Sequence, residues 1–238
     1  MKLYNPFRFL SRFEWILWGC SMAVVLLSFW IGGQEGILSL IASLIGVTAL
    51  ILVSKGDVLG QVLGILFGLL YAIVSFEQRY YGEMFTYLLM GIPSSVASLV
   101  SWVKNPHATD RSEVKMTHLC RADYVWLTVL TPLVTFVFYW ILRALGTAAL
   151  LTSTLSIATS FFASFLMFRR SPYYALAYAV NDAVLIVLWC IAAEHDPAAF
   201  SMIACFLMFL VNDFYGLFNW LRLRRVQKES GTKGNLVN

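Results

Sequence analysis

Two Asn-Asp pairs, Asn181-Asp182 and Asn212-Asp213, stand well inside long apolar runs of the chain. A carboxylate at the centre of a bilayer costs roughly 2.5–3.5 kcal/mol even on the lenient insertion scale, so such residues face a bundle interior or an aqueous cavity. Amides there can bind hydroxyls or a carboxamide. A carboxylate beside aromatic faces suits a flat cationic ring, through Coulomb and cation–π attraction. Helical spacing groups further residues with these pairs. Asn212, Tyr215 and Asn219 share one face, with Asp213, Gly216 and Trp220 on the adjoining stripe. Tyr174, Tyr178, Asn181 and Leu185 share another, with Trp189 one turn beyond. Upstream, Gln61, Gly64, Gly68 and Tyr71 lie along one stripe, and Thr86, Tyr87 and Met90 precede a kinking Pro93. A plainer reading stands beside the functional one. Asn and Ser often stitch helices together at about 0.6 kcal/mol per bond. Gly64 and Gly68 would serve close helix packing, and Asp182 and Asp213 would be buried partners of hydroxyls and amides.

The elements that must position these residues are membrane helices. The chain has 238 residues, 60% of them apolar and only 13% charged, against about 25% charged in a soluble domain. That excludes a water-soluble enzyme, a disordered chain and a disulfide-rich secreted domain. The apolar runs are continuous rather than alternating, which excludes an outer-membrane barrel. A span needs about 20 mainly apolar residues, and eight segments qualify: 14–32, 36–54, 57–77, 82–103, 123–144, 147–168, 172–193 and 197–221. The first is expected to be a retained helix, because Phe29-Trp30-Ile31-Gly32-Gly33 is no signal-cleavage site. Trp15, Trp18, Trp102, Trp126 and Trp220 fall near helix ends and read as interfacial belts.

With the amino terminus inside, fifteen basic residues fall on one side, and Arg79 and Arg143 on the other. This asymmetry predicts both termini in the cytoplasm and makes the basic loops topology signals rather than a nucleic-acid surface. Cys20, Cys120, Cys190 and Cys205 have no paired spacing, so neither a disulfide nor a metal framework is expected. His107, His118 and His195 all fall in loops, leaving no intramembrane zinc cluster or histidine relay; His195 beside Asp196 reads as a solvated pair. Walker A, H-E-x-x-H and G-x-S-x-G sequences are absent. No catalytic constellation and no cofactor are expected.

Segments two to four repeat the layout of segments six to eight. Ser54-Lys55-Gly56 and Arg169-Arg170-Ser171 follow the first helix of each set, and Trp102 and Trp220 close the third. The sets run in the same direction, an arrangement found in transporters that hold substrate between repeats. The expected fold is therefore an all-α polytopic membrane protein of eight transmembrane helices, an extra first helix plus a 3+1+3 parallel repeat. Its parts are an amino-terminal segment 1–35, a three-helix bundle 36–103, a cytoplasmic loop and linker helix 104–146, a second bundle 147–221 and a basic tail 222–238, disordered after Arg225.

Asn212-Asp213-Phe214-Tyr215-Gly216-Leu217-Phe218-Asn219-Trp220 resembles the N-D-x-Y-G-x-x-x-W ending of the PnuC family, bacterial transporters of nicotinamide riboside. Leu70-Tyr71, Tyr80-Tyr81-Gly82 and the repeat layout fit as well, over about Gly36 to Arg225. The plan is similar to that of the SWEET sugar transporters. The resemblance implies a homotrimer in the bacterial inner membrane and facilitated uptake of nicotinamide riboside, with the substrate at the midplane between two bundles. On it, Gln61, Asn181 and Asn212 would hold ribose hydroxyls or the carboxamide. Tyr71, Trp189 and Tyr215 would stack on the ring, Phe67, Thr86 and Tyr87 would line the pocket, and Asp182 or Asp213 would balance the pyridinium charge. The chain departs from the family where W-x-x-W is replaced by Tyr174 and Ala177, where a family Asn reads Phe67, and where Pro93-Ser94-Ser95 replaces a first-half Y-G motif. The alternatives are a SWEET-type sugar carrier, a carrier of another vitamin, and a non-transporting membrane sensor or assembly subunit.

Overall fold

The computed structural model describes residues 6–31, 36–77, 81–108, 111–147, 149–194 and 199–234. The expected turns at Gly32–Glu35, Gln78-Arg79 and His195-Asp196-Pro197 lie outside the described residues. Among the described residues, eight helical stretches are long and apolar enough to cross a membrane. They are α1 (Arg12–Ile31), α2 (Ile37–Ser54), α3 (Val58–Glu77), a composite fourth span, α6 (Arg121–Ala144), α7 (Leu150–Phe168), α8 (Tyr174–Ala193) and α9 (Ala199–Gly234). The fourth span joins α4 (Tyr81–Thr86) to α5 (Ile92–Val103) through a π-helical turn, Tyr87–Gly91. Pro93 follows that turn and has no N–H to give the preceding ladder; the wider turn closes instead from Ile92 N–H to Tyr87 O.

Each half packs as α2–α3–α5 or α7–α8–α9, and the halves meet where α2 packs on α9 and α5 on α7. The two ends of this interface are built alike. Trp220 donates its indole N–H to Val53 O (2.9 Å) and Trp102 donates to Met167 O (3.3 Å). One residue before each indole, Asn219 Nδ2 reaches Ser54 O (2.7 Å) and Ser101 Oγ reaches Phe168 O (2.9 Å). The third helix of each half thus caps the orphan carbonyls that end the first helix of the other half. These two Trp side chains are fully buried and 5.3 Å apart, so they form an internal joint rather than an interfacial belt.

The turns that follow α2 and α7 also match. Gly56 N–H bonds Val53 O and Asp57 N–H bonds Leu52 O; Arg170 N–H bonds Met167 O and Ser171 N–H bonds Leu166 O. Both are Schellman closures whose key residue must be left-handed, at φ 70° for Gly56 and 57° for Arg170. Glycine adopts this freely. Arg170 is held there by its guanidinium, which donates to Thr117 Oγ1 and Ser101.

The pairing extends to α1 and α6, the helix that precedes each half. Ser11 with Glu14, and Cys120 with Asp123, close capping boxes at their starts. Glu14 then takes Lys55 (3.1 Å), and Asp123 takes both Arg169 Nε (2.8 Å) and Nη2 (2.9 Å). Lys55 and Arg169 are the equivalent residues of the two turns. The first helix therefore stands to its half as the linker helix stands to the second. Both are peripheral, with 17% of each span buried against 50–56% in α2 and α3.

Two other expectations are corrected. The chain does not become irregular after Arg225, because α9 continues to Gly234, the last described residue. Part of the 104–121 connection forms a hairpin, β1 (Pro106–Ala108) with β2 (Arg111–Val114). The two features hold each other, since Gln227 donates to Val114 O and Glu113 and accepts from Met116 N–H.

Candidate functional site

The matched joint leaves a cavity between the halves. Its volume is about 130 Å³, below the roughly 300–1,000 Å³ typical of small-molecule sites. The first half lines it mainly with backbone and apolar groups, to which Gln61, Thr86 and Ser95 add three polar side chains. Gly46 from α2, Gly60, Gly64 and Phe67 from α3, and Tyr87 and Met90 from the π-helical turn face it. The second half supplies polar groups: Ser160 and Ser164 from α7, Tyr178, Asn181 and Asp182 from α8, and Asp213 from α9.

The first wall is open because of its glycines, though they do different things. A Cβ on Gly60 would lie 2.6 Å from Val53 N, and one on Gly46 would lie 2.5 Å from the Phe209 ring. Those two permit close approach of helices. A Cβ on Gly64 meets nothing within 4 Å, so Gly64 supplies space for a ligand rather than the helix packing its spacing suggests. Gln61 is buried here, with Nε2 3.1 Å from Met167 Sδ. A soft thioether is a weak acceptor, which leaves this amide able to exchange partners.

On the second wall, Asn181 is fixed by α7. Ser160 donates to its Oδ1 at 2.8 Å, and Thr159 Oγ1 stands at the same distance. With Oδ1 committed, Nδ2 is the end available to an acceptor in the cavity. Tyr178 OH and Ser164 Oγ bond at 2.9 Å. Asp182 and Asp213, 3% and 4% exposed, both line this wall. Among the described residues, Asp182 Oδ2 has no hydrogen-bond partner and neither Lys, Arg nor His lines the cavity.

An aromatic cluster closes the end away from the basic turns. Phe67 meets Tyr87 edge-on at 6.2 Å and Phe209 at 5.2 Å, and Tyr71 lies 4.3 Å from Tyr87. Trp189 donates its indole N–H to Tyr71 OH (2.9 Å) behind them. Glu83, 3% exposed, accepts from Ser156 Oγ (3.4 Å) in the same region.

Six of the expected site residues, Gln61, Phe67, Thr86, Tyr87, Asn181 and Asp182, are thus gathered on one cavity. Tyr71 and Trp189 stand directly behind it. Asn212 and Tyr215 face elsewhere. Asn212 Nδ2 donates to Ser21 Oγ (3.1 Å) and Met208 O (2.7 Å), and Tyr215 OH donates to Glu14 while its ring packs on Phe13. Both serve the docking of α1. Sequence reasoning missed Ser160, Ser164, Glu83 and Glu14. Ser11-Arg12-Phe13-Glu14 ahead of an apolar run was a readable capping-box signal for Glu14, whereas its pairing with Lys55 depends on knowing that α1 packs there.

Among the described residues, eight membrane-length helices around a cavity of mixed polar and apolar lining between two like halves fit a helical membrane transporter. Residues 36–222 match the family model described as nicotinamide mononucleotide transporter. This chain belongs to that family, the PnuC transporters. It is 25% identical to the nicotinamide riboside transporter PnuC of Neisseria mucosa over 227 residues, covering 93% of this chain and 84% of the relative. It is 27% identical to the PnuC of Haemophilus influenzae over 187 residues, covering 78% and 80%. The fold matches a crystal structure of the vitamin B3 transporter PnuC with a TM-score of 0.78, at 23% identity, over 92% of this chain and 94% of that one.

Proposed function

We propose that this transporter carries nicotinamide riboside across a bacterial inner membrane by facilitated diffusion, with both termini in the cytoplasm and the substrate bound in the cavity between the halves. The observation that carries this reading is the chemistry of the two walls. A ring can lie against Phe67 and Tyr87 over the space left by Gly64, while the opposite wall presents an amide N–H, hydroxyls and carboxyls. A pyridinium on a ribose needs those same partners: an aromatic face and an anionic neighbour for the cation, and hydrogen-bonding groups for hydroxyls and carboxamide. The relatives named for nicotinamide riboside support the substrate. The site set is therefore Gln61, Gly64, Phe67, Thr86, Tyr87, Asn181, Asp182 and Asp213, with Tyr71 and Trp189 supporting the rings.

Transport follows if the halves rock about the Trp102–Trp220 joint, exposing the cavity to either side in turn. The π-helical turn at Tyr87–Gly91 and Pro93 supply the flexible point of the fourth span. A homotrimer is proposed with it. A SWEET-type sugar carrier could use the two carboxyls as acceptors for hydroxyls, so it is the relatives named for nicotinamide riboside that favour the riboside over a sugar. Calorimetric titration with nicotinamide riboside, thiamine, riboflavin and glucose tests the reading. Saturable binding of the riboside alone is expected; a response to another ligand with none to the riboside overturns the substrate, and silence from folded protein toward all four overturns the site.

A further inference from the structure

Residues 113–117 lie across the end of the molecule that carries the basic turns, and they are bonded to both halves. Val114 N–H donates to Gly56 O (3.0 Å) and Lys115 N–H to Asn105 O (2.8 Å), both in the first half. Met116 N–H donates to Gln227 Oε1 (2.9 Å) on α9, and Thr117 N–H to Arg170 O (3.2 Å) in the turn after α7, both in the second half. Four consecutive N–H groups thus divide two and two. Val114, fully buried, is held from both sides at once, because Gln227 Nε2 donates to its carbonyl (3.1 Å). It packs in the same apolar cluster as Trp102 and Trp220, so this segment and the joint close the same end of the cavity. Consecutive Cα atoms are fixed about 3.8 Å apart, and a single peptide unit separates the attachment to one half from the attachment to the other. The segment has no slack with which to follow the halves apart.

We infer that residues 113–117 are a strap that fastens the halves together on the side of the basic turns, and that it lets go of the second half each time the cavity opens there. This rests on the reading of the cavity as a substrate site reached from each side in turn. The joint is then the pivot and the strap the fastening beside it. The two sets of bonds are unequal, which decides where the strap parts. To the first half it is held by backbone: Lys115 continues the pairing of β2 with β1 onto Asn105, and Glu113 pairs with Asp57 as an antiparallel bridge. To the second half it is held largely through two side chains. Gln227 alone makes three of those bonds, to Met116 N–H, Val114 O and Glu113. Arg170 reaches Thr117 Oγ1 (2.9 Å) from a left-handed backbone, a conformation that costs a residue with a Cβ. Parting from the second half hands these side chains to water, whereas parting from the first would break a backbone ladder. Gln227 is accordingly the latch of the strap.

The test is side-specific labelling of a thiol in the cavity of the full-length protein. Cys20, Cys120, Cys190 and Cys205 are replaced by serine, and Gly64→Cys serves as reporter, because a Cβ there meets nothing within 4 Å. A membrane-impermeant quaternary-ammonium methanethiosulfonate is applied to vesicles of either orientation. From the side of the carboxyl end of α9, Gln227→Ala should label about tenfold faster than the parent or more. Thr117→Val, which takes only the hydroxyl partner from Arg170, should label about threefold faster. Labelling from the opposite side should not rise in either. Unchanged thermal unfolding checks that each variant is folded, and either one alone decides. Equal labelling of the parent and a folded variant from the strap side overturns the inference and leaves the substrate reading to calorimetry. Faster labelling in a protein that binds no riboside keeps the strap and overturns the substrate. In the reverse direction, with Gly64 restored, a short thiol-reactive bridge between Glu113→Cys and Gln227→Cys should stop riboside counterflow in liposomes while riboside still binds. Counterflow that continues through the bridged protein overturns the strap.

Discussion

The two halves share one joint and one backbone plan, yet they line the cavity with opposite chemistry. Carried along from Val53 and Met167, the matched register sets Phe67 opposite Asn181 and Gly68 opposite Asp182; carried back from the two Trp residues, it sets Ser95 opposite Asp213. At each of these positions the first half presents a ring, a bare backbone or a hydroxyl, and the second an amide or a carboxyl. Where the halves touch, at the indole bonds and the Schellman turns, the same bonds are made although most residue types differ, as Gly56 and Arg170 do. Symmetry is kept where it holds the fold and given up where a ligand would sit. An asymmetric ligand, apolar on one side and hydrogen-bonding on the other, is what such a pair of walls can discriminate.

The largest effect should come from closing the open wall. Gly64→Leu places a side chain into space that a Cβ enters without contact. Riboside affinity should fall at least a hundredfold in calorimetry, with the unfolding temperature in detergent unchanged. Retained affinity would move the ligand off the first wall. On the second wall, Asn181→Ala removes one buried hydrogen-bonding amide, an effect of about 1–3 kcal/mol or roughly five- to a hundredfold in affinity. Asn212→Ala and Tyr215→Phe should leave affinity within about twofold. They should lower stability by about 1 kcal/mol each through the docking of α1. If those two variants lose binding as Asn181→Ala does, the division between ligand wall and α1 contact is wrong. The smallest expected effect tests the joint. Trp102→Phe and Trp220→Phe each forfeit one indole bond, about 1 kcal/mol. The double variant should depart from additivity, because the rings lie 5.3 Å apart and share one pocket.

The contrast between the two Asn-Asp pairs also marks how far the sequence could be read. The eight spans were legible because a run of about 20 apolar residues has few other meanings, and the matched basic turns because charge is scarce in this chain. Asn181 was legible as a cavity residue because the other face of its helix is apolar. Asn212 carries the same signal and points to α1. The helix it belongs to packs on α1, α2 and α8, and its outward stripe of Leu207, Val211, Phe214 and Phe218 leaves a broad packed side in which the sequence pattern does not tell the α1 contact from the cavity. Asp213, about 100° further round, meets the cavity. Ser160 and Ser164 were invisible because a hydroxyl on a membrane helix is usually satisfied by its own backbone. Here Ser160 donates to Asn181, and Ser164 shares a hydrogen bond with the Tyr178 hydroxyl. The hairpin at 106–114 and the extension of α9 escaped because each is stabilised by the other through Gln227 rather than by its own sequence.

The matched ion pairs of Glu14 with Lys55 and Asp123 with Arg169 carry a consequence for insertion. They make the unit that repeats four crossings long, counting α1 with the first half and α6 with the second. Parity then does the rest. Four crossings return a chain to the side it left, so the second unit begins facing the same way as the first without any inverting segment. The cationic turns that orient one copy fall on the same side in the other, and both are read by a single rule of charge placement. A unit of three crossings, copied end to end, would have emerged upside down, and its Lys55-like and Arg169-like turns would have pulled against each other across the membrane.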